Sequence, residues 1–186
     1  MSLRIGVALV LWSLAASAAA DVLQQSPEGF TLRLERTLPQ RSEQVYAGLA
    51  ALPRWWNPAH SFSGSAANLS IDLRAGGCFC ERWKGGSVEH LHVIAALPGR
   101  EVRLRGGLGP LQQMPVSGLM QWRLVPQGDK TVLTWEYRVW GSAENQLQRI
   151  ATAVDGVLAE QLTALAQYLQ NSPVAGDGTA PPAVED

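Results

Sequence analysis

The hydrophobic period of this sequence changes near residue 147 from that of strands to that of a long helix, and this change constrains the fold more than any other feature. Upstream of it, short segments alternate apolar and polar residues, as half-buried strands do. Downstream, apolar residues recur every three or four positions, at Leu147, Ile150, Val154, Val157, Leu158, Leu162, Leu165 and Leu169. That spacing is typical of a long amphipathic helix. Strands followed by one long helix predict an α+β domain in which helices cover one face of an antiparallel sheet.

The alternating segments place the strands. We predict strands over Gly29–Leu38, Asn68–Leu73, Cys78–Trp83, Val88–Leu97, Glu101–Arg105, Val116–Val125 and Thr131–Trp140. A short helix is expected from about Ser42 until Pro53 stops it. The last two strands carry apolar faces (Met120, Trp122 and Leu124; Leu133, Trp135 and Tyr137), and a tight connection between the strands brings these faces together.

The first 20 residues have the pattern of a cleaved secretory signal peptide. Arg4 is followed by an apolar run, Ile5–Leu14, and then by small residues, with Ala18 and Ala20 placed for cleavage before Asp21. The run is too short to span a bilayer, which needs about 20 apolar residues. We therefore expect a periplasmic or secreted protein without a stable membrane anchor.

The rest of the chain divides into one domain and a tail. Residues 21–171 hold all the periodic segments, whereas residues 172–186 are small, proline-rich and acidic, which is typical of disorder. The net charge is −1, and lysine and arginine form no basic run. This composition argues against nucleic acid as a partner, and the sequence leaves the oligomeric state open.

The two cysteines, Cys78 and Cys80, lie one residue apart on a predicted strand. Their Cα atoms would be about 6.6 Å apart in an extended strand, near the upper limit for a disulfide. We expect two free, buried cysteines, and a β-bulge would be needed to join them.

Cys78 and Cys80 also precede His90 and His92, which raises the question of a zinc site. The glycine pair at residues 85–86 favours a two-residue hairpin loop. In that register the facing pairs are Lys84–Ser87, Glu81–His90, Cys80–Leu91, Phe79–His92 and Cys78–Val93. Cysteines and histidines then lie on opposite faces of the sheet, so we predict no metal site. The Glu81–His90 contact is expected at the surface, where it contributes little to stability.

Other polar residues offer weak signals for catalysis. His60 lies near Ser61 and Ser63 but outside any G-x-S-x-G motif, and we interpret it as a polar loop residue. Tyr137 and Arg138 would suit an acid or an anion clamp, although a core tyrosine with a satisfied hydroxyl is commoner. We predict no catalytic residue and no cofactor.

The chain resembles the SRPBCC, or START-like, superfamily. The resemblance rests on the order of elements and on Trp55-Trp56, Gly76-Gly77 before a strand and the segment from Val93 to Pro98. These features look like the branch of activator-of-heat-shock-ATPase homologues, and the segment Gly76–Glu81, GGCFCE, looks like its exported members. The resemblance implies a helix-grip fold, in which a curved sheet wraps around the C-terminal helix and encloses a cavity for hydrophobic molecules.

From these observations we predict an exported binding protein for a lipid-like or aromatic small molecule, held between the sheet and the C-terminal helix. The predicted ligand-binding residues are Trp56, Cys78, Cys80, Leu91, Val93, Trp122, Trp135, Tyr137, Val154 and Leu158. The tryptophans would equally serve as core packing. Two alternatives are a cyclase- or hydrolase-type enzyme on the same scaffold and a protein-interaction module.

Overall fold

A computed structural model describes residues 20–172. Its strands are β1 (Ala20–Ser26), β2 (Gly29–Leu38), β3 (Leu69–Ile71), β4 (Cys78–Trp83), β5 (Gly86–Leu97), β6 (Glu101–Arg105), β7 (Ser117–Gln127) and β8 (Lys130–Trp140). Its α-helices are α1 (Ser42–Ala50) and α2 (Gln148–Asn171), and 3-10 turns interrupt the loops. The predicted signal peptide and tail lie outside the described residues, except for Ala20 and Ser172.

The described strands form one antiparallel sheet of eight, in the order β1-β2-β8-β7-β6-β5-β4-β3. Hairpins join most neighbours, while the connection from β2 to β3 crosses to the far edge through α1. The predicted α+β class, with a curved antiparallel sheet and a long C-terminal helix, is confirmed. Strand β1 was not predicted, because Val22 and Leu23 are adjacent and the segment does not alternate.

The two helices cover different parts of the sheet. Helix α1 packs on β7 and β8, and α2 packs on β1 and β2. The helices meet closely at Gly48, where a Cβ would lie 2.6 Å from Cδ2 of Leu169, so a larger residue here would have to displace the Leu169 side chain. Leu162, Leu165 and Leu169 are buried on the inner face of α2, as its period predicted. Among the described residues, no helix combines the length and apolar character needed to cross a membrane.

The β7–β8 hairpin forms as predicted. Trp122 pairs with Trp135 in the register, and their rings stack with centroids 5.3 Å apart. Trp55 lies 6.3 Å from the Trp135 ring, measured between centroids. The adjoining aromatic faces are therefore a filled part of the core.

The β4–β5 hairpin departs from the predicted register. Trp83 pairs with Gly86, so Lys84 and Gly85 form the loop, and Gly85 has a φ of +105°. A Cβ on Gly86 would lie 2.5 Å from Cζ2 of Trp83, which shows that the second glycine is needed for packing inside the strand. A β-bulge then adds His90 to β5: Cys80 pairs with Glu89, and Phe79 with Leu91.

Cys78 and Cys80 are joined in a disulfide, so the expectation of free cysteines is wrong. Their Cα atoms are 5.3 Å apart, which is closer than the spacing of an ideal extended strand. The register of the β4–β5 pair shifts between Phe79 and Cys80, next to this disulfide.

Candidate ligand-binding cavity

A cavity of about 410 Å³ lies between the N-terminal half of α2 and two loops. Helix α2 forms one wall with Ile150, Ala153, Val154, Val157 and Leu158. The loop after α1 forms a second wall with Trp56, Ala59, His60, Ser61 and Phe62. The loop after β6 contributes Leu108, Gly109, Pro110 and Gln113, and β5 contributes His90. Most of these side chains are apolar, so the cavity suits an apolar molecule.

Of the ten residues predicted to bind a ligand, Trp56, Val154 and Leu158 belong to these walls. The others, which the cavity walls do not include, are Cys78, Cys80, Leu91, Val93, Trp122, Trp135 and Tyr137. All of them but the half-buried Cys78 are buried. The space that the sequence analysis assigned to the faces of β7 and β8 is occupied by core side chains.

Within that core, the hydroxyl of Tyr137 has hydrogen-bond partners both as a donor and as an acceptor. Its hydroxyl donates to the Gly106 carbonyl at 2.9 Å and accepts from the Leu108 amide at 3.1 Å. Burial raises the pKa of Tyr137 far above its ordinary value. The phenol is therefore a structural anchor for the loop that forms one cavity wall.

Rings connect that core to the cavity. Trp55 lies 5.7 Å from Trp56, which lies 5.2 Å from Phe79, and Phe79 lies 5.0 Å from His90, all measured between ring centroids. Trp56 also donates its indole N–H to the His60 carbonyl at 3.0 Å. The cavity thus borders a rigid aromatic core, and Trp56 belongs to both.

A buried Glu81–His90 pair lies at the cavity, and His90 is the member of the pair that belongs to the wall. His90 Nε2 lies 3.0 Å from Glu81 Oε2, and the two side chains are 4% and 0% exposed. Glu81 also accepts from the backbone amides of Phe62 at 2.9 Å and Ser63 at 2.5 Å. The predicted contact exists, but its predicted place at the surface is wrong. The β-bulge leaves His90 and Leu91 opposite one residue of β4, and both are buried.

The environment sets the protonation of the pair. Burial raises the pKa of Glu81, but hydrogen bonds from Ser63, Phe62 and His90 together lower that pKa below its ordinary value. Burial lowers the pKa of His90, and Glu81 offsets only part of this effect. At neutral pH the pair is a carboxylate and a neutral imidazole.

A second histidine lies at the rim. His60 Nε2 is 2.9 Å from Glu160 Oε2 on α2, and Asn57 donates its side-chain amide to the same carboxylate. These hydrogen bonds hold the pKa of Glu160 below its ordinary value. The Asn57 backbone amide donates to the buried Gln161 side chain at 2.9 Å, so the rim loop (residues 56–63) is fastened to α2.

His60 has the acidic partner that a hydrolase would require, but the neighbouring hydroxyl is used elsewhere. Ser61 donates its hydroxyl to the Pro58 carbonyl at 2.7 Å. Ser61 is therefore not a nucleophile activated by His60. His60 is best described as a polar loop residue.

The predicted absence of a zinc site rested on a β4–β5 register that the structure does not have. Cys78, Cys80 and Glu89 bring their donor atoms within 4.8 Å of one another. The two sulfurs are bonded to each other, however, and zinc requires thiolates. His90 has its Nε2 committed to Glu81. With the disulfide closed, these residues do not provide a zinc site.

Comparison with solved structures places this geometry among known folds. CalU16 from Micromonospora echinospora is 16% identical, with a TM-score of 0.56, and the match covers 87% of this chain and 88% of that one. Protein MLL2253 from Mesorhizobium loti is 16% identical, with a TM-score of 0.57 and coverage of 77% and 99%. DynU16, a protein of the dynemicin biosynthetic locus, is 15% identical, with a TM-score of 0.53 and coverage of 76% and 47%.

This chain has the helix-grip fold. The predicted helix-grip fold is thereby confirmed. No protein-family model matches the chain, and no curated protein matches it. At these identities the likeness establishes the fold alone.

Sequence reasoning missed most of the cavity walls, including His90, Phe62 and the loop Leu108–Pro110. One signal was available for the polar pair. The hairpin pattern brought Glu81 and His90 together, but it did not mark them as buried, because Arg82, Glu89 and His92 on the same strands are exposed. The loop walls carried no such signal, because their positions depend on how the sheet curves.

Proposed function

We propose that this protein is an exported carrier that holds one hydrophobic small molecule between the rim loop and helix α2. The observation that carries the proposal is the cavity, whose volume of about 410 Å³ falls in the range of small-molecule sites, about 300–1,000 Å³. Export rests on the signal-peptide pattern of residues 1–20.

The character of the walls supports an apolar ligand. Val154, Val157 and Leu158 face Trp56 and Phe62 across the cavity. Phe62 is 47% exposed, so an apolar ring borders the entrance. Exposed apolar groups of this kind are typical of sites that bind hydrophobic ligands. DynU16, a protein of the dynemicin biosynthetic locus, shares the fold of this chain. A biosynthetic setting for this fold supports a small organic molecule as the ligand proposed here.

The first experiment is native mass spectrometry of the protein recovered from its export compartment, followed by titration with the fluorescent probe N-phenyl-1-naphthylamine. We expect saturable binding of one probe per chain. Val154→Phe fills the cavity and should weaken binding at least about tenfold. Gln167→Phe is the matched control, because Gln167 is exposed on the same helix and outside the cavity. Non-saturable binding, or equal binding by the two variants, would contradict the proposal.

An enzyme on this scaffold is the second candidate, and one observation favours it. A neutral histidine oriented by a buried carboxylate resembles the base of many active sites, and His90 belongs to the cavity wall. Turnover of a bound compound that is lost in His90→Gln, with the compound still binding, would support this candidate over a carrier.

A further inference from the structure

His90 is a buried ionisable residue in the wall of a mostly apolar cavity. The β-bulge inserts His90 into β5, and only 4% of its side chain remains exposed. What remains accessible faces the cavity, since His90 is one of its wall residues. Burying an imidazole has a cost, and the cost persists wherever one of its nitrogens lacks a partner.

The pair with Glu81 determines which nitrogen is left. Glu81 already accepts hydrogen bonds from the Phe62 and Ser63 amides, and these donors favour its ionised form. An ionised carboxylate only accepts, so the proton between the two side chains belongs to His90 Nε2. Because burial keeps His90 neutral, Nδ1 carries no proton and is an acceptor.

The surroundings of His90 make this acceptor selective. Aromatic rings flank the imidazole, with Phe79 at 5.0 Å and Phe62 at 5.7 Å between centroids. Helix α2 lines the cavity with apolar side chains, those of Ile150, Ala153, Val154, Val157 and Leu158, and the other polar side chains of the walls are those of His60, Ser61 and Gln113. An apolar molecule in this cavity therefore meets the imidazole acceptor of His90 within a mostly apolar surface.

We propose that His90 Nδ1 accepts a hydrogen bond from the ligand, so that the cavity selects apolar molecules bearing a hydroxyl or N–H donor, such as phenols and alcohols. Glu81 is the positioning residue, since it holds the imidazole in the required tautomer and orientation. This inference rests on the proposed carrier function and names the class of its ligand.

Two compounds of similar shape test the hydrogen bond. 2-Naphthol carries a hydroxyl where 2-methylnaphthalene carries a methyl group, and both are titrated by fluorescence against the full mature protein. The quantity of interest is the affinity for 2-naphthol divided by the affinity for 2-methylnaphthalene. We expect this ratio to fall at least about fivefold, in favour of the methyl compound, in His90→Phe. His92→Phe is the matched control, because His92 is exposed on the same strand, and its ratio should equal that of the wild type.

Each outcome distinguishes the two proposals. If both compounds bind but the ratio is the same in wild type and His90→Phe, the hydrogen bond is contradicted and the carrier function survives. If neither compound binds the wild type, both proposals are contradicted for aromatic ligands of this size.

A measurement on the unmodified protein guards against a misfolded His90→Phe variant. In ¹⁵N NMR of labelled wild type, 2-naphthol should shift the Nδ1 resonance of His90 toward that of a hydrogen-bonded acceptor, and 2-methylnaphthalene should not. Equal shifts with the two compounds would overturn the inference. Glu81→Gln should lower the affinity ratio as well, because the neutral amide no longer specifies the tautomer.

Discussion

The two halves of helix α2 meet the rest of the molecule differently. The C-terminal half buries Leu162, Leu165 and Leu169 completely or nearly so. The N-terminal half presents Ala153, Val154 and Val157, which are smaller and only partly covered or exposed, and these residues line the cavity. One continuous amphipathic helix thus packs on the core at its C-terminal end and borders the cavity at its N-terminal end, where Ile150 and Leu158 also line the cavity. No break in the helix separates the packed half from the cavity half.

The largest effect should come from the packed half. Leu165→Ala leaves a void among side chains that cannot collapse, and we expect the free energy of unfolding to fall by about 2–5 kcal/mol. The matched variant in the cavity half, Val157→Ala, should cost less than about 1 kcal/mol, because one side of Val157 already faces empty space. Urea unfolding measures both. Equal losses would show that the two halves are packed alike.

The next effect concerns the carboxylate that fastens the rim loop at the cavity end. Glu81→Gln should lower the free energy of unfolding by about 1–3 kcal/mol at pH 7, since charge-assisted hydrogen bonds to two amides and His90 are weakened. Because the pKa of Glu81 is lowered in the folded state, its stabilisation is complete above the ordinary carboxyl pKa and disappears as pH falls through the folded pKa.

The difference between wild type and Glu81→Gln should therefore shrink on acidification, measured by urea unfolding from pH 7 to pH 3. Glu89→Gln serves as the control, because Glu89 is exposed on the same hairpin. A difference that stays constant with pH would show that the ionised carboxylate is not what stabilises the loop.

A smaller effect is expected for the disulfide on β4. Closing so short a loop restricts the unfolded chain little, and Cys78→Ser combined with Cys80→Ser should cost about 1.5 kcal/mol. Wild type in the presence of reductant should match the double variant in thermal unfolding. If oxidised wild type and the double variant are equally stable, the disulfide does not stabilise the fold.

The smallest effect belongs to the rim. The Glu160 side chain accepts hydrogen bonds from His60 and Asn57 at the surface, where it is 47% exposed, so Glu160→Gln should change the free energy of unfolding by less than about 0.5 kcal/mol. The same variant should increase the dissociation rate of bound N-phenyl-1-naphthylamine in stopped-flow measurements, because the loop is fastened to α2 less firmly. An unchanged rate would restrict the fastening role to Gln161.

Much of this architecture was determined by the sequence itself. The alternation in Gly29–Leu38 and in the β7–β8 hairpin, and the three-four spacing from Leu147 to Leu169, correctly predicted elements and fold class. Such patterns depend on residues close in the chain, since each element must turn one apolar face to a common core.

Tertiary structure decided the rest. The predicted β4–β5 register assumed an undisturbed hairpin, whereas the packing of Gly86 against Trp83 and a bulge at His90 moved the pairing. That shift buried the Glu81–His90 pair and accompanied the joining of Cys78 to Cys80. Strand register changes face with every single-residue step, and the choice among registers depends on contacts that no local pattern contains. For the same reason, the location of the empty space could be read only from the folded chain.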